Sequence, residues 1–107
     1  MSSKQETTNA FTQEKGVVHM GGIDALVRLT LDQVRTDERR GLKTGMFISG
    51  YRGSPVGMLD AALLKNEKTL VGRNIHFVDG LNEDLAATAV WGTQMLHTVG
   101  KQQFDGV

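Results

Sequence analysis

Three stretches of the chain combine residue types that could do chemistry. The first, Gly50-Tyr51-Arg52-Gly53-Ser54-Pro55-Val56-Gly57, joins an arginine and a hydroxyl to three glycines. Arg52 offers a bidentate donor for a carboxylate or phosphate, and a tight turn running into a helix leaves backbone N–H groups free for an anion. The stretch is neither a G-x-G-x-x-G fingerprint nor a Walker A loop, since no Gly-Lys-Ser/Thr follows. Read alone, it serves equally as a structural turn. The second stretch is Asn82-Glu83-Asp84. A carboxyl group here could exchange a proton, but acidic residues in a first helical turn also complement the dipole and cap N–H groups. The third is the run Ala86, Ala87, Ala89, Gly92 and Thr93, whose small side chains point to close packing against a sheet, a helix or a subunit. His19, His76 and His97 have no metal-ligand spacing, and Met46, Met58, Met95 and Trp91 read as core residues.

The elements that must position these stretches follow from periodicity. Apolar residues at Ile23, Leu26, Val27, Leu31 and Val34 recur at helical spacing, with Asp24, Arg28, Asp32, Arg35 and Arg39 on the other face. A helix from Gly22 to about Arg40 is expected, stopped by Gly41, with the charge run Arg35 to Arg40 as a solvated helix end. Gly45 to Ser49 and Ile75 to Val78 are short apolar runs that read as buried strands. Between them, Ser54 is a suitable N-cap and Pro55 a suitable first residue for a helix reaching about Leu64, and 66–73 reads as a polar connection anchored by Leu70 and Val71. Asn82 is expected to cap a last helix from Glu83 to about Val99. Helices alternating with short strands imply an α/β fold, a partial parallel sheet flanked by helices. Both the loop at Gly50 and the carboxylates at Glu83 follow strands, where such sheets place ligands. Phe104-Asp105-Gly106-Val107 reads as a turn leading toward a further strand.

Composition narrows the function classes. Twelve basic residues balance twelve acidic ones, which argues against a nucleic-acid module or a polybasic membrane binder. The absence of cysteine excludes disulfides, thiolate-bound zinc and an iron–sulfur cluster held by these residues. Hydrophobic residues at 39% and charged residues at 22% are globular proportions, and no apolar run approaches the ~20 residues of a membrane helix. Residues 1–15 are polar apart from Met1, Ala10 and Phe11, have no secretory apolar core and read as a disordered tail. A cytoplasmic location is the resulting expectation.

Three segments, Ile23 to Arg28, Phe47 to Asp60 and Gly80 to Gln94, closely resemble the N-terminus of the large bacterial indolepyruvate ferredoxin oxidoreductases. These are thiamine-diphosphate-dependent 2-oxoacid:ferredoxin oxidoreductases, and the likeness spans about residues 16 to 107. The resemblance implies an incomplete pyrimidine-binding domain over 16–107, in which Glu83 meets N1′ of the cofactor's aminopyrimidine and Ala86, Ala87 and Gly92 continue the family's small-residue helix. It further implies that Gly53 and Pro55 line the cofactor and that Ser54 and Arg52 handle the 2-oxoacid. Related enzymes carry Gly-Tyr-Pro-Gly-Thr-Pro here, so Ser54 replaces a threonine and Arg52 a proline. The implied activity is oxidative decarboxylation of an aryl 2-oxoacid to an acyl-CoA with reduction of ferredoxin, in a homodimer or hetero-oligomer. Full members are far longer, and other parts of them hold the Mg²⁺-diphosphate and the iron–sulfur clusters, so this stretch alone is expected to be inactive. Two rivals remain on the residues themselves: a non-catalytic anion- or nucleotide-binding α/β module built on Gly50 to Gly57, and an interaction domain whose last helix packs on a partner.

Overall fold

A computed structural model describes residues 10–53 and 55–107. The chain order is α1 (Gly22–Arg39), β1 (Met46–Gly50), α2 (Leu59–Lys65), α3 (Glu67–Val71), β2 (Ile75–Asp79), α4 (Glu83–Thr93) and α5 (Leu96–Val99), after a helical turn at 10–12. β1 and β2 pair in parallel with Met46 opposite Ile75 and Gly50 opposite Asp79. The fold is thus a small α/β arrangement with a two-stranded parallel sheet.

The core lies on one face of that sheet. Val27, Leu31 and Val34 of α1, Leu63 of α2, Leu70 of α3 and Ile75 of β2 are buried together, with Met46, Ile48 and Phe77 packed against them. Alternation along a strand puts Met46 and Ile48 on this face and Phe47 and Ser49 on the other. α4 packs against β1 from the Ser49 side. Gly80, just after β2, packs tightly under the start of α4, where an added Cβ on residue 80 would sit 2.7 Å from the Ala86 Cβ. Consecutive residues of β1 also face opposite edges: Met46 N–H donates to Asn74 O on the β2 side, while Gly45 N–H donates to Gly106 O on the other. Thr44 and Gly106 form a parallel bridge, so β1 lies between β2 and the start of a further pairing.

α1 runs as its periodicity predicts and ends in a Schellman motif. Gly41, at φ 78°, donates to Glu38 O, and Leu42 N–H donates to Asp37 O, which closes the last turn. Arg35, expected on a solvated face, is instead buried. Its Nη2 donates to the Phe11 carbonyl and its Nη1 to Asp32 Oδ1 at 2.9 Å, while Arg28 donates to the carbonyls of Ala10 and Gln13. Residues 10–15 are therefore clamped on α1 rather than part of a disordered tail, and the remainder of that expected tail lies outside the described residues.

Two other boundaries differ from expectation. α2 begins at Leu59, not near Pro55, because Met58 adopts φ 70° and a left-handed residue cannot lie inside a right-handed helix. Ser54, the expected N-cap, lies outside the described residues. The last helix breaks after Thr93, where Gly92 and β-branched Thr93 weaken helix propensity, and resumes only for Leu96–Val99. Within 66–73, α3 forms around Leu70, which is buried, while Val71 is exposed. Among the described residues no helix is long and apolar enough to cross a membrane.

Candidate functional site at the carboxyl end of the first strand

The two connections out of the sheet run on opposite faces. From β1 the chain passes through α2 and α3, on the core side, to β2; from β2 it passes through α4, on the Ser49 side, to the Gly106 edge of β1. In parallel sheets the crevice at such a divergence, beyond the strands' carboxyl ends, is where ligands bind. The residues found there are Tyr51, Arg52 and Gly53 after β1, and Glu83 after β2.

Asn82 starts α4. Its backbone is extended, and its Oδ1 accepts from Leu85 N–H at 2.9 Å. That cap makes Glu83 the first helical residue and turns it toward β1, where its Oε1 accepts a hydrogen bond from the Tyr51 hydroxyl at 2.9 Å. The shared hydrogen bond and the carboxylate's negative charge raise the Tyr51 pKa above its ordinary 10.0, with a smaller push from burial, since both disfavour the phenolate. A cleft of about 480 Å³ runs between Ser49, Gly50 and Tyr51 on one side and Glu83, Ala87, Val90 and Trp91 on the other. Beyond Glu83 the helix wall is apolar; the other wall is the Ser49–Gly50 strand end and the Tyr51 phenol.

The expected site residues divide. Glu83 and the Gly50 to Gly53 loop share one edge of the sheet, joined through Tyr51. Arg52 turns to the other face, its Nε 3.9 Å from Asp60 Oδ2 at the mouth of a second cavity that Gly53 also lines. Gly53 takes φ 96°, a conformation only glycine adopts readily. Pro55 is exposed and starts no helix, which removes the helix N-terminus expected to face an anion at that position. Of the apolar residues beside Glu83, Leu81 is 86% and Leu85 52% exposed, and Ala86 alone is buried. Of the small residues of α4 only Ala86 is buried, and Ala87, Ala89 and Gly92 are exposed.

Sequence reasoning passed over Tyr51 and Asp60. Tyr51 is the single tyrosine and stands in the glycine loop, a signal that was available. Asp60 becomes visible only once Met58 delays the helix and folds the loop back toward Arg52. Among the described residues no group of histidines and carboxylates could hold a metal ion. In comparisons with known proteins, no family model, no curated protein and no solved structure matched the chain.

Proposed function

We propose that the Glu83 cleft receives the aminopyrimidine of thiamine diphosphate, and that the chain is the pyrimidine-binding part of an indolepyruvate-type 2-oxoacid:ferredoxin oxidoreductase. The observation that carries this reading is the placement of Glu83: a carboxyl at the first residue of a small-residue helix, hydrogen-bonded to Tyr51 across an apolar cleft. The donor set fits the pyrimidine half of the cofactor. A carboxyl can share a proton with a ring nitrogen, and Ala87, Val90 and Trp91 supply an apolar wall for a flat ring. The diphosphate is a different matter, because the described residues hold no metal-ligand cluster and the chain has no cysteine for an iron–sulfur centre. Mg²⁺, coenzyme A and ferredoxin therefore belong, on this reading, to other parts of the enzyme.

When bound, thiamine diphosphate supplies the carbanion chemistry that decarboxylates a 2-oxoacid. Glu83 holds and exchanges the proton at N1′. Tyr51, donating to Oε1, occupies one carboxyl oxygen and leaves the other available to a ligand in this reading. Arg52, on the same loop, points to the opposite face beside Asp60 and would have to swing round to meet the oxoacid carboxylate, to which the resemblance also assigns Ser54, two positions on.

The test is titration of the 107-residue chain with 4-amino-5-hydroxymethyl-2-methylpyrimidine and with thiamine diphosphate, followed by NMR. Saturable shifts at Glu83, Val90 and Trp91 are expected with both, and Glu83→Gln should weaken them about tenfold or more, as for loss of a charged hydrogen bond. Absence of binding, or equal binding by Glu83→Gln, overturns the reading.

A further inference from the structure

On the face of the sheet away from Glu83, the loop after β1 encloses a cavity of about 330 Å³. Ile48, Leu59, Leu63 and Phe77 form its interior, and its mouth carries one arginine and one aspartate, Arg52 and Asp60. The volume stands at the low end for small-molecule sites, enough for one large side chain and too small for a dinucleotide. The charge pattern at the mouth narrows the ligand further. Arg52 Nε and Asp60 Oδ2 are 3.9 Å apart, beyond hydrogen-bond reach, and the Arg52 side chain is 79% exposed. An apolar carboxylate would satisfy Arg52 but bring its charge against Asp60. An apolar amine would do the reverse. A molecule bearing both charges on one carbon, with an apolar substituent, satisfies both and adds no net charge to the mouth.

We propose that this cavity binds a free α-amino acid with a large apolar side chain, its carboxylate on Arg52, its ammonium on Asp60 and its side chain between Ile48, Leu63 and Phe77. The backbone supports a built site. Gly53 at φ 96° and Met58 at φ 70° fold the loop so that residues eight apart in sequence, Arg52 and Asp60, meet at one opening. Met58 lines the cavity in a conformation that side chains other than glycine adopt at a cost, and such strain collects at ligand sites. Asp60 opens α2 on a turn whose other face packs into the core through Leu63, so the carboxylate is anchored, while Arg52, held among the described residues only by its long ion pair with Asp60, can swing to a ligand. Glu83 takes no part in this cavity; Arg52 is the one residue that the thiamine reading also uses, and the inference does not rest on that reading.

The experiment is calorimetric titration of the full chain with L-phenylalanine, 3-phenylpropionate, phenethylamine and phenylpyruvate. L-Phenylalanine should bind about tenfold or more tightly than the three others, because each of them leaves one charged partner unmet. Asp60→Asn should erase the preference over 3-phenylpropionate and phenylpyruvate, and Arg52→Ala the preference over phenethylamine. Both positions lie at the mouth rather than in the core, and unchanged far-ultraviolet circular dichroism verifies the fold of each variant. Equal or tighter binding of 3-phenylpropionate or phenylpyruvate overturns the proposal in favour of a plain carboxylate site, and absence of saturable binding by all four overturns it outright.

Discussion

Replacing Gly80 by alanine is expected to lever α4 away from β1. The φ of Gly80 lies outside the left-handed region, so the cost is steric rather than conformational. The new methyl would lie 2.7 Å from the Ala86 Cβ and 3.3 Å from the Asn82 carbonyl oxygen, and neither obstacle is the far end of a flexible side chain. Restoring ordinary contact, from 2.7 Å to 3.4 Å, requires a retreat of about 0.7 Å. Overpacking of this kind costs about 1–3 kcal/mol. The lower end applies, because Ala86 is the one buried residue of α4 and the helix can yield without dragging a core behind it. Its movement should also stretch the Tyr51–Glu83 hydrogen bond, now 2.9 Å. Both consequences are readable without labels. The only tryptophan, Trp91, lies on α4 and reports urea unfolding by fluorescence, and the only tyrosine, Tyr51, reports its own ionisation by ultraviolet absorbance. Gly80→Ala should lower the unfolding midpoint and bring the Tyr51 pKa down toward 10.0. The double variant with Ala86→Gly, corrected by a mutant cycle for the ~1 kcal/mol helix penalty of glycine, should recover the loss. Unchanged stability together with an unmoved Tyr51 titration would refute the Gly80–Ala86 contact as the hinge of the site.

Glu83→Gln should lower the Tyr51 pKa by removing the negative charge, and ultraviolet titration reads this directly. Because the folded pKa is raised, the stabilisation linked to Tyr51 is present below about pH 10 and is lost as pH climbs through the folded value. Glu83→Gln should therefore flatten the fall of the urea midpoint in that alkaline window, and an equally steep fall would count against the pair. Arg35→Met should release residues 10–15, which its guanidinium holds at the Phe11 carbonyl, at a cost of about 1–2 kcal/mol because half-exposed Asp32 regains water. Amide exchange should then rise selectively at 10–15, and exchange left at parent rates would show that Arg28 and Phe11 suffice. Exposed Leu81, Trp91 and Val99, with a formal net charge of zero, should make the chain self-associate with rising concentration, and Trp91→Glu should reduce this in sedimentation velocity.

What the sequence made legible was long-period or locally chemical. α1 is readable because five apolar residues recur at helical spacing over a run closed by Gly41, and both strands because short apolar runs stand between turn residues. Asn82 is readable as a cap because its side chain bonds within its own turn. The misreadings are of another kind. Pro55 suits a first helical turn, and nothing local reveals that Met58 turns left-handed and postpones α2. Arg35 reads as a solvated helix position because the carbonyl it bonds, that of Phe11, lies 24 residues away and is brought back only by tertiary packing. The Glu83 position was legible from the strand-to-helix order, whereas its hydrogen bond to Tyr51 joins a helix start to a loop 32 residues away and has no local signature.

The two candidate cavities share a single partition. Ser49, Gly50 and Tyr51 line both, because a sheet of two strands offers only the end of β1 to separate the α4 side from the α2 side. Chemistry therefore collects on this loop for a topological reason: it is where connections to opposite faces diverge. The shared wall also dictates which substitutions separate the two proposals. A change at Tyr51 alters both cavities at once and assigns nothing. Glu83 lines only the cleft under α4, and Asp60 only the cavity beside α2. Pyrimidine binding that responds to Glu83→Gln but not to Asp60→Asn, and amino-acid binding with the converse dependence, would follow from two sites back to back; a response of either ligand to both variants would require one continuous site, with Tyr51 displaced from Glu83.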